Sequence, residues 1–200
     1  MSATLRMKRF LLALLPWMVV TAAFGQLQSA EVSFVGHTIK GPCYRLADQA
    51  FAPVSALKEL GYNPDELGDR LTVHIEDHDV ELPVRWLSGV PCFPVAKFAD
   101  ALRVDSVWTD PARLAVLARI SLVEVTGQGE RLTSSLPIQP QVSFFDGPNR
   151  VVVDCRGARL VKDAKISLLP NARVGQVRPD TLRIVLEIDK MPSVELVPDK

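Results

Sequence analysis

The stretch Arg150-Val-Val-Val-Asp154 returns 33 residues later as Arg183-Ile-Val-Leu-Glu187. Each copy sets three aliphatic residues between an arginine and a carboxylate. Side chains branched at Cβ are stiff at χ1 and pack well on a pleated surface, so such runs predict strands rather than helix. Turn chemistry precedes both: Phe144-Phe145-Asp146-Gly147-Pro148-Asn149 before the first, Val177-Arg178-Pro179-Asp180 before the second. Both copies therefore predict β-hairpins, and their repetition predicts two similar units related by an approximate internal symmetry. At period two, Arg150, Val152 and Asp154 share one face, as do Arg183, Val185 and Glu187.

The middle of the chain repeats as well. Shifting residues 42–54 forward by 41 positions superposes Pro42 on Pro83, Leu46 on Leu87, Pro53 on Pro94 and Val54 on Val95. Each copy predicts a short hairpin, with turns at Ala47-Asp48 and Ser88-Gly89, that leads to a proline near a helix start, where its missing N–H costs nothing. Val54, Leu57 and Leu60 then fall on one helical face, as do Val95, Phe98, Ala101 and Leu102. A strand is predicted after each helix, Leu71 to Ile75 and Leu114 to Ala118. The chain is thus expected to be α+β followed by all-β. Two tandem hairpin-helix-strand units occupy residues 26–120, and a small β-sandwich with internal pseudo-symmetry occupies residues 121–200. Arg119 to Val125 is nearly continuous strand, so the boundary is soft and the junction rigid.

Two resemblances follow from these residues. R-V-V-V-D-x-x-G-A-R-L from Arg150 to Leu160, with Val174 to Ile188, resembles the AMIN domain, a β-rich module found ahead of bacterial cell-wall amidases and in some outer-membrane secretins. Cys155 stands where that family generally has leucine. The resemblance implies a two-sheet sandwich that binds peptidoglycan. Phe51 to Gly61 and Phe93 to Leu102 resemble the copper amine oxidase-like N-terminal domain, a stalk found in secreted bacterial proteins. That likeness implies an accessory module with neither copper nor oxidase chemistry.

The ends and the charge fit an exported protein. Arg6, Lys8 and Arg9 precede an apolar run from Phe10 to Phe24, and small residues lead to a cleavage site ahead of Gln26. That pattern predicts a signal peptide over residues 1–25, whose apolar run of 15 residues is short of the roughly 20 of a permanent span. No other stretch is long and apolar enough to cross a membrane. Its removal leaves 20 basic against 23 acidic side chains. Nucleic-acid binding demands a basic excess to displace phosphate counterions, and none exists. The three cysteines, Cys43, Cys92 and Cys155, allow at most one internal disulfide, for which Cys43 and Cys92 are the candidates; all three also suit small buried apolar positions.

Chemistry-bearing patterns are sparse. The histidines are His37, His74 and His78, and the His74-to-His78 spacing that would serve a metal on a helix falls here on two strands and a turn. No G-x-S-x-G elbow, dinucleotide fingerprint or phosphate loop occurs. We therefore expect no catalysis, no cofactor and no metal. What remains is recognition: Arg150, Asp154, Arg156, Arg178, Arg183 and Glu187 cluster at predicted strand ends. Guanidinium groups grip stem-peptide carboxylates in bidentate fashion, and acids accept from sugar hydroxyls. Cross-strand ion pairing among the same residues is the competing reading. The expected function is a non-catalytic cell-envelope module, periplasmic or extracellular, that binds peptidoglycan. The alternatives are the targeting region of a truncated N-acetylmuramoyl-L-alanine amidase, or an assembly protein docking onto a secretin.

Overall fold

A computed structural model describes residues 26–189, and the predicted signal peptide lies outside the described residues. The elements run in order as β1 (Gln28–Phe34), β2 (His37–Thr38), β3 (Cys43–Leu46), β4 (Gln49–Pro53), α1 (Ser55–Glu59), β5 (Asp65–Leu67), β6 (Arg70–Ile75) and β7 (His78–Pro83). They continue with β8 (Arg85–Leu87), β9 (Val90–Pro94), α2 (Val95–Ala101), β10 (Asp105–Asp110), β11 (Arg113–Thr126) and β12 (Gly129–Ser134). The last are β13 (Gln141–Phe145), β14 (Arg150–Arg156), β15 (Ala158–Ser167), β16 (Ala172–Arg178) and β17 (Thr181–Glu187).

The α+β expectation is overturned. Among the described residues 62% are strand and 7% helix, in two helices only, and the strands form several sheets. The apolar spacing around Leu57 and Phe98 does give helix, but for five and seven residues. At 1.5 Å per residue, neither exceeds about 10 Å, too short to make a helical layer. Positive φ closes both immediately, at Gly61 (φ +89°) and Arg103 (φ +56°). They act instead as plugs: α2 turns Val95, Phe98 and Ala99 inward, and the Phe98 ring lies 5.2–5.8 Å from those of Tyr62, Phe93 and Phe34.

Ten strands share one large sheet, whose main path is β10-β11-β1-β3-β4-β9-β8. The 14-residue β11 organises it. Its first part lies between β1, paired in parallel from Arg113 to Val116, and antiparallel β10. Its later part lies between antiparallel β12 and parallel β15. β11 runs through residue 121 as one strand, although its ladders with β12 and β15 both shift register between Ile120 and Leu122. A three-stranded sheet, β5-β6-β7, and a four-stranded one, β13-β14-β17-β16, complete the fold of the described residues.

Two apolar clusters result. One gathers β1, β3, β4, β6, both helices and the start of β11; the other joins Ile120, Val123 and Val125 of β11 to Val151, Val153 and Cys155 of β14 and to Leu182 and Ile184 of β17. The second cluster is the filling between the four-stranded sheet and the later part of the large one. The repeated segments are not heads of two separate units. They are neighbours, paired antiparallel from Arg150 opposite Glu187, through Val152 opposite Val185, to Asp154 opposite Arg183. The repeat is a local two-fold about the Val152 and Val185 pair.

The proposed disulfide is also corrected: Cys43, Cys92 and Cys155 are free, buried thiols. β4 separates β3, which carries Cys43, from β9, which carries Cys92. Two strand spacings place their Cα atoms about 10 Å apart, beyond the roughly 7 Å a disulfide spans. Burial pushes the Cys43 thiol up to about 11, aided by the nearby Cys92, and pushes Cys92 and Cys155 up to about 11 as well.

Candidate functional site

Antiparallel register decides which of the six candidates meet. Residues directly opposite one another in a ladder point to the same face. On β14, Val151, Val153 and Cys155 face the core, so Arg150, Val152, Asp154 and Arg156 face outward. Pairing extends that outer face to Phe145, Ser143 and Gln141 of β13, to Glu187, Val185, Arg183 and Thr181 of β17, and to Arg173 and Arg178 of β16. One sheet face therefore carries five arginines against two carboxylates.

These charges divide into two groups. Arg183 donates from Nε to Asp154 Oδ1 at 2.7 Å and from Nη2 to Oδ2 at 2.8 Å, a bidentate pair across the two copies of the repeat. The Arg183 hydrogen bonds hold the Asp154 carboxyl below the usual carboxylate range against the opposing effect of burial, and the charges of Arg183, Arg156 and Arg178 act in the same direction. Asp154 and Arg183 are thus joined in the cross-strand pair that the sequence offered as the alternative to ligand binding. Glu187 lies 3.7 Å from Arg173 rather than on its ladder partner Arg150.

Arg150, Arg156 and Arg178 form the second group: none has a carboxylate within 4.0 Å among the described residues. The Arg150 guanidinium lies 5.6 Å from the centre of the Phe145 ring, which supplies an aromatic surface beside it. Val152, though on the outer face, is buried. Its ladder partners on that face are Ser143 and Val185.

Arg156 also lines a cavity of about 390 Å³ at one end of this face, with Phe34, Val35, Gly36, His37, Pro137, Gln139 and Gln141. The Val35-Gly36 turn forms one wall, and its position is fixed by contact with Gly157. A Cβ on Gly157 would fall well inside 3.0 Å of the Gly36 nitrogen and the Val35 carbonyl carbon, and the residue has φ +68°. Ala118 N–H donates to the Gly157 carbonyl at 2.8 Å, and Gly157 N–H donates to that of Asp180 at 2.7 Å. Gly157 is therefore the hinge pin between the large sheet and the four-stranded one. Gln139 and Gln141 did not stand out in the sequence, because the cavity depends on the docking of a turn more than 100 residues upstream, which no local pattern encodes.

The histidine spacing gives no paired site. His74 is opposite Asp79 and His78 is opposite Ile75 in the β6-β7 ladder, so the two imidazoles leave from opposite faces. Each binds its own neighbouring acid, His74 to Asp79 at 2.9 Å and His78 to Asp77 at 3.3 Å. No helix among the described residues is long and apolar enough to cross a membrane. Comparison with family models, with curated proteins and with solved structures gave no match to this chain.

Proposed function

We propose that the protein is a non-catalytic, exported cell-envelope module that binds peptidoglycan through the outer face of the β13-β14-β17-β16 sheet. One observation carries this reading: Arg150, Arg156 and Arg178 stand on one rigid face with no carboxylate partner among the described residues. A guanidinium is a planar fork of donors that matches a carboxylate, and stem peptides present carboxylates along the polymer. Asp154 and Arg183 tie β14 to β17 across that face. Phe145, beside Arg150, adds an apolar surface for ligand. Each contact is weak, and affinity comes from many copies of the epitope on one wall fragment.

The test is co-sedimentation of the full chain with purified sacculi at about 0.15 M salt. The Arg150→Ala, Arg156→Ala, Arg178→Ala triple variant is expected to lose about tenfold or more in apparent affinity, the scale of charge-assisted hydrogen bonds, with its melting curve unchanged. Equal pelleting of the variant and the natural chain refutes the assignment to this face. Release of soluble fragments from sacculi by the pure protein refutes its non-catalytic character.

A further inference from the structure

The cavity beneath the Val35-Gly36 turn takes its walls from both parts of the chain. Phe34 and His37 come from β1 and β2, Pro137, Gln139 and Gln141 from the approach to β13 and its first residue, and Arg156 from the end of β14. At about 390 Å³ it is the size of a small-ligand site. Val35, branched at Cβ, is held at φ +47°, a conformation such residues rarely adopt and one that clusters at ligand sites.

The polar groups are mixed in kind. Arg156 has no carboxylate partner among the described residues, and its Cβ lies 3.3 Å from where a Gly36 side chain would begin, directly under the turn. Gln139 and Gln141 make no side-chain hydrogen bond among the described residues, so each offers an amide donor and an amide acceptor. His37 is committed elsewhere: its Nε2 lies 2.6 Å from Glu59 Oε1, and Glu59 also accepts from the Lys40 N–H at 3.2 Å. Phe34 and Pro137 supply apolar surface. A guanidinium beside two unspent primary amides complements a carboxylate attached to a peptide bond.

We propose that this cavity is a composite site for the free carboxyl end of a short peptide. Arg156 grips the carboxylate, and Gln139 and Gln141 bind the preceding amide. The proposal rests on the wall-binding reading, which makes the peptide a murein stem, and it gives the first part of the chain a role, since the site is incomplete without the β1-β2 turn.

The experiment is calorimetric titration of the full chain with a murein pentapeptide, once as the free acid and once as the carboxyl-terminal amide, beside sacculus co-sedimentation. The free acid is expected to bind about tenfold tighter than the amide, as loss of a charge-assisted pair demands. A Gln139→Ala, Gln141→Ala variant, altered only at solvent-reached side chains, is expected to weaken the free acid about threefold to tenfold with an unchanged melting curve. If sacculi still pellet the protein but acid and amide bind alike, or the glutamine variant binds as tightly as the natural chain, the composite site is refuted and wall binding stands. If neither sacculi nor peptide binds, both fall.

Discussion

Replacing Gly157 with alanine tests the joint between the two sheets most directly. Two separate penalties add. The residue sits at φ +68°, where an L side chain loses about 1–2 kcal/mol. The new methyl would also press on the backbone of Val35 and Gly36, which cannot rotate aside as a flexible side chain would. Forcing an extra methyl into a filled space destabilises by about 1–3 kcal/mol, and rigid backbone puts this case toward the upper end. The expected loss is therefore about 3–5 kcal/mol, a melting-temperature drop of roughly 10 °C for a chain of this size. Urea and thermal unfolding by circular dichroism measure it. Gly61 provides the internal control: it has φ +89° but nothing within 4 Å of the point where a methyl would stand, so Gly61→Ala isolates the conformational part, about 1–2 kcal/mol. Equal losses for the two variants would show that the Val35-Gly36 turn does not press on Gly157, and the account of the joint would be wrong.

Further outcomes follow from the same structure. Asp154→Asn is expected to destabilise by about 0.5–1 kcal/mol at pH 7, the upper part of the range for surface ion pairs, since this one is part-buried and bidentate. Because the folded Asp154 carboxyl lies below its ordinary range, the stabilisation is present above the unfolded value near 4 and is lost as pH falls through the folded one; unfolding at pH 7 and at pH 3 should show the difference between variant and natural chain shrinking, and a constant difference would refute the pairing. The thiols, pushed up to about 11 by burial, are expected to ignore Ellman's reagent at pH 8 until the chain unfolds, when all three react. Rapid reaction of the native protein would contradict their burial.

The repeat of arginine, aliphatic run and acid was legible as strand because alternation and branching at Cβ are local properties. That its two copies pair with each other was not, since register is set by the whole sheet. Pairing is what turns Asp154 and Arg183 from candidate ligand contacts into a structural bridge, while leaving Arg150, Arg156 and Arg178 free of carboxylates among the described residues. In the first part, the spacing around Leu57 and Phe98 overstated the helices: a face of three or four apolar residues fits two turns but says nothing about the extended chain on either side. The parallel contact of Glu31 with Arg113 joins residues 82 positions apart, and no window of sequence contains both. The cavity depends on that same long-range geometry.

The single strand from Arg113 to Thr126 has a mechanical consequence. Its first part is stitched to β1 and β10 and its later part to β12 and β15, so the two regions share one continuous strand and unfolding of either frays an element of the other. Denaturation should run as one cooperative event, and tension applied at either end of the folded body would be carried along one extended backbone instead of across a flexible tether. A protease cut at residue 121 would split that girder, and the ladder of Ala118 to Ile120 with Ala158 to Leu160 would then have to hold the two fragments together.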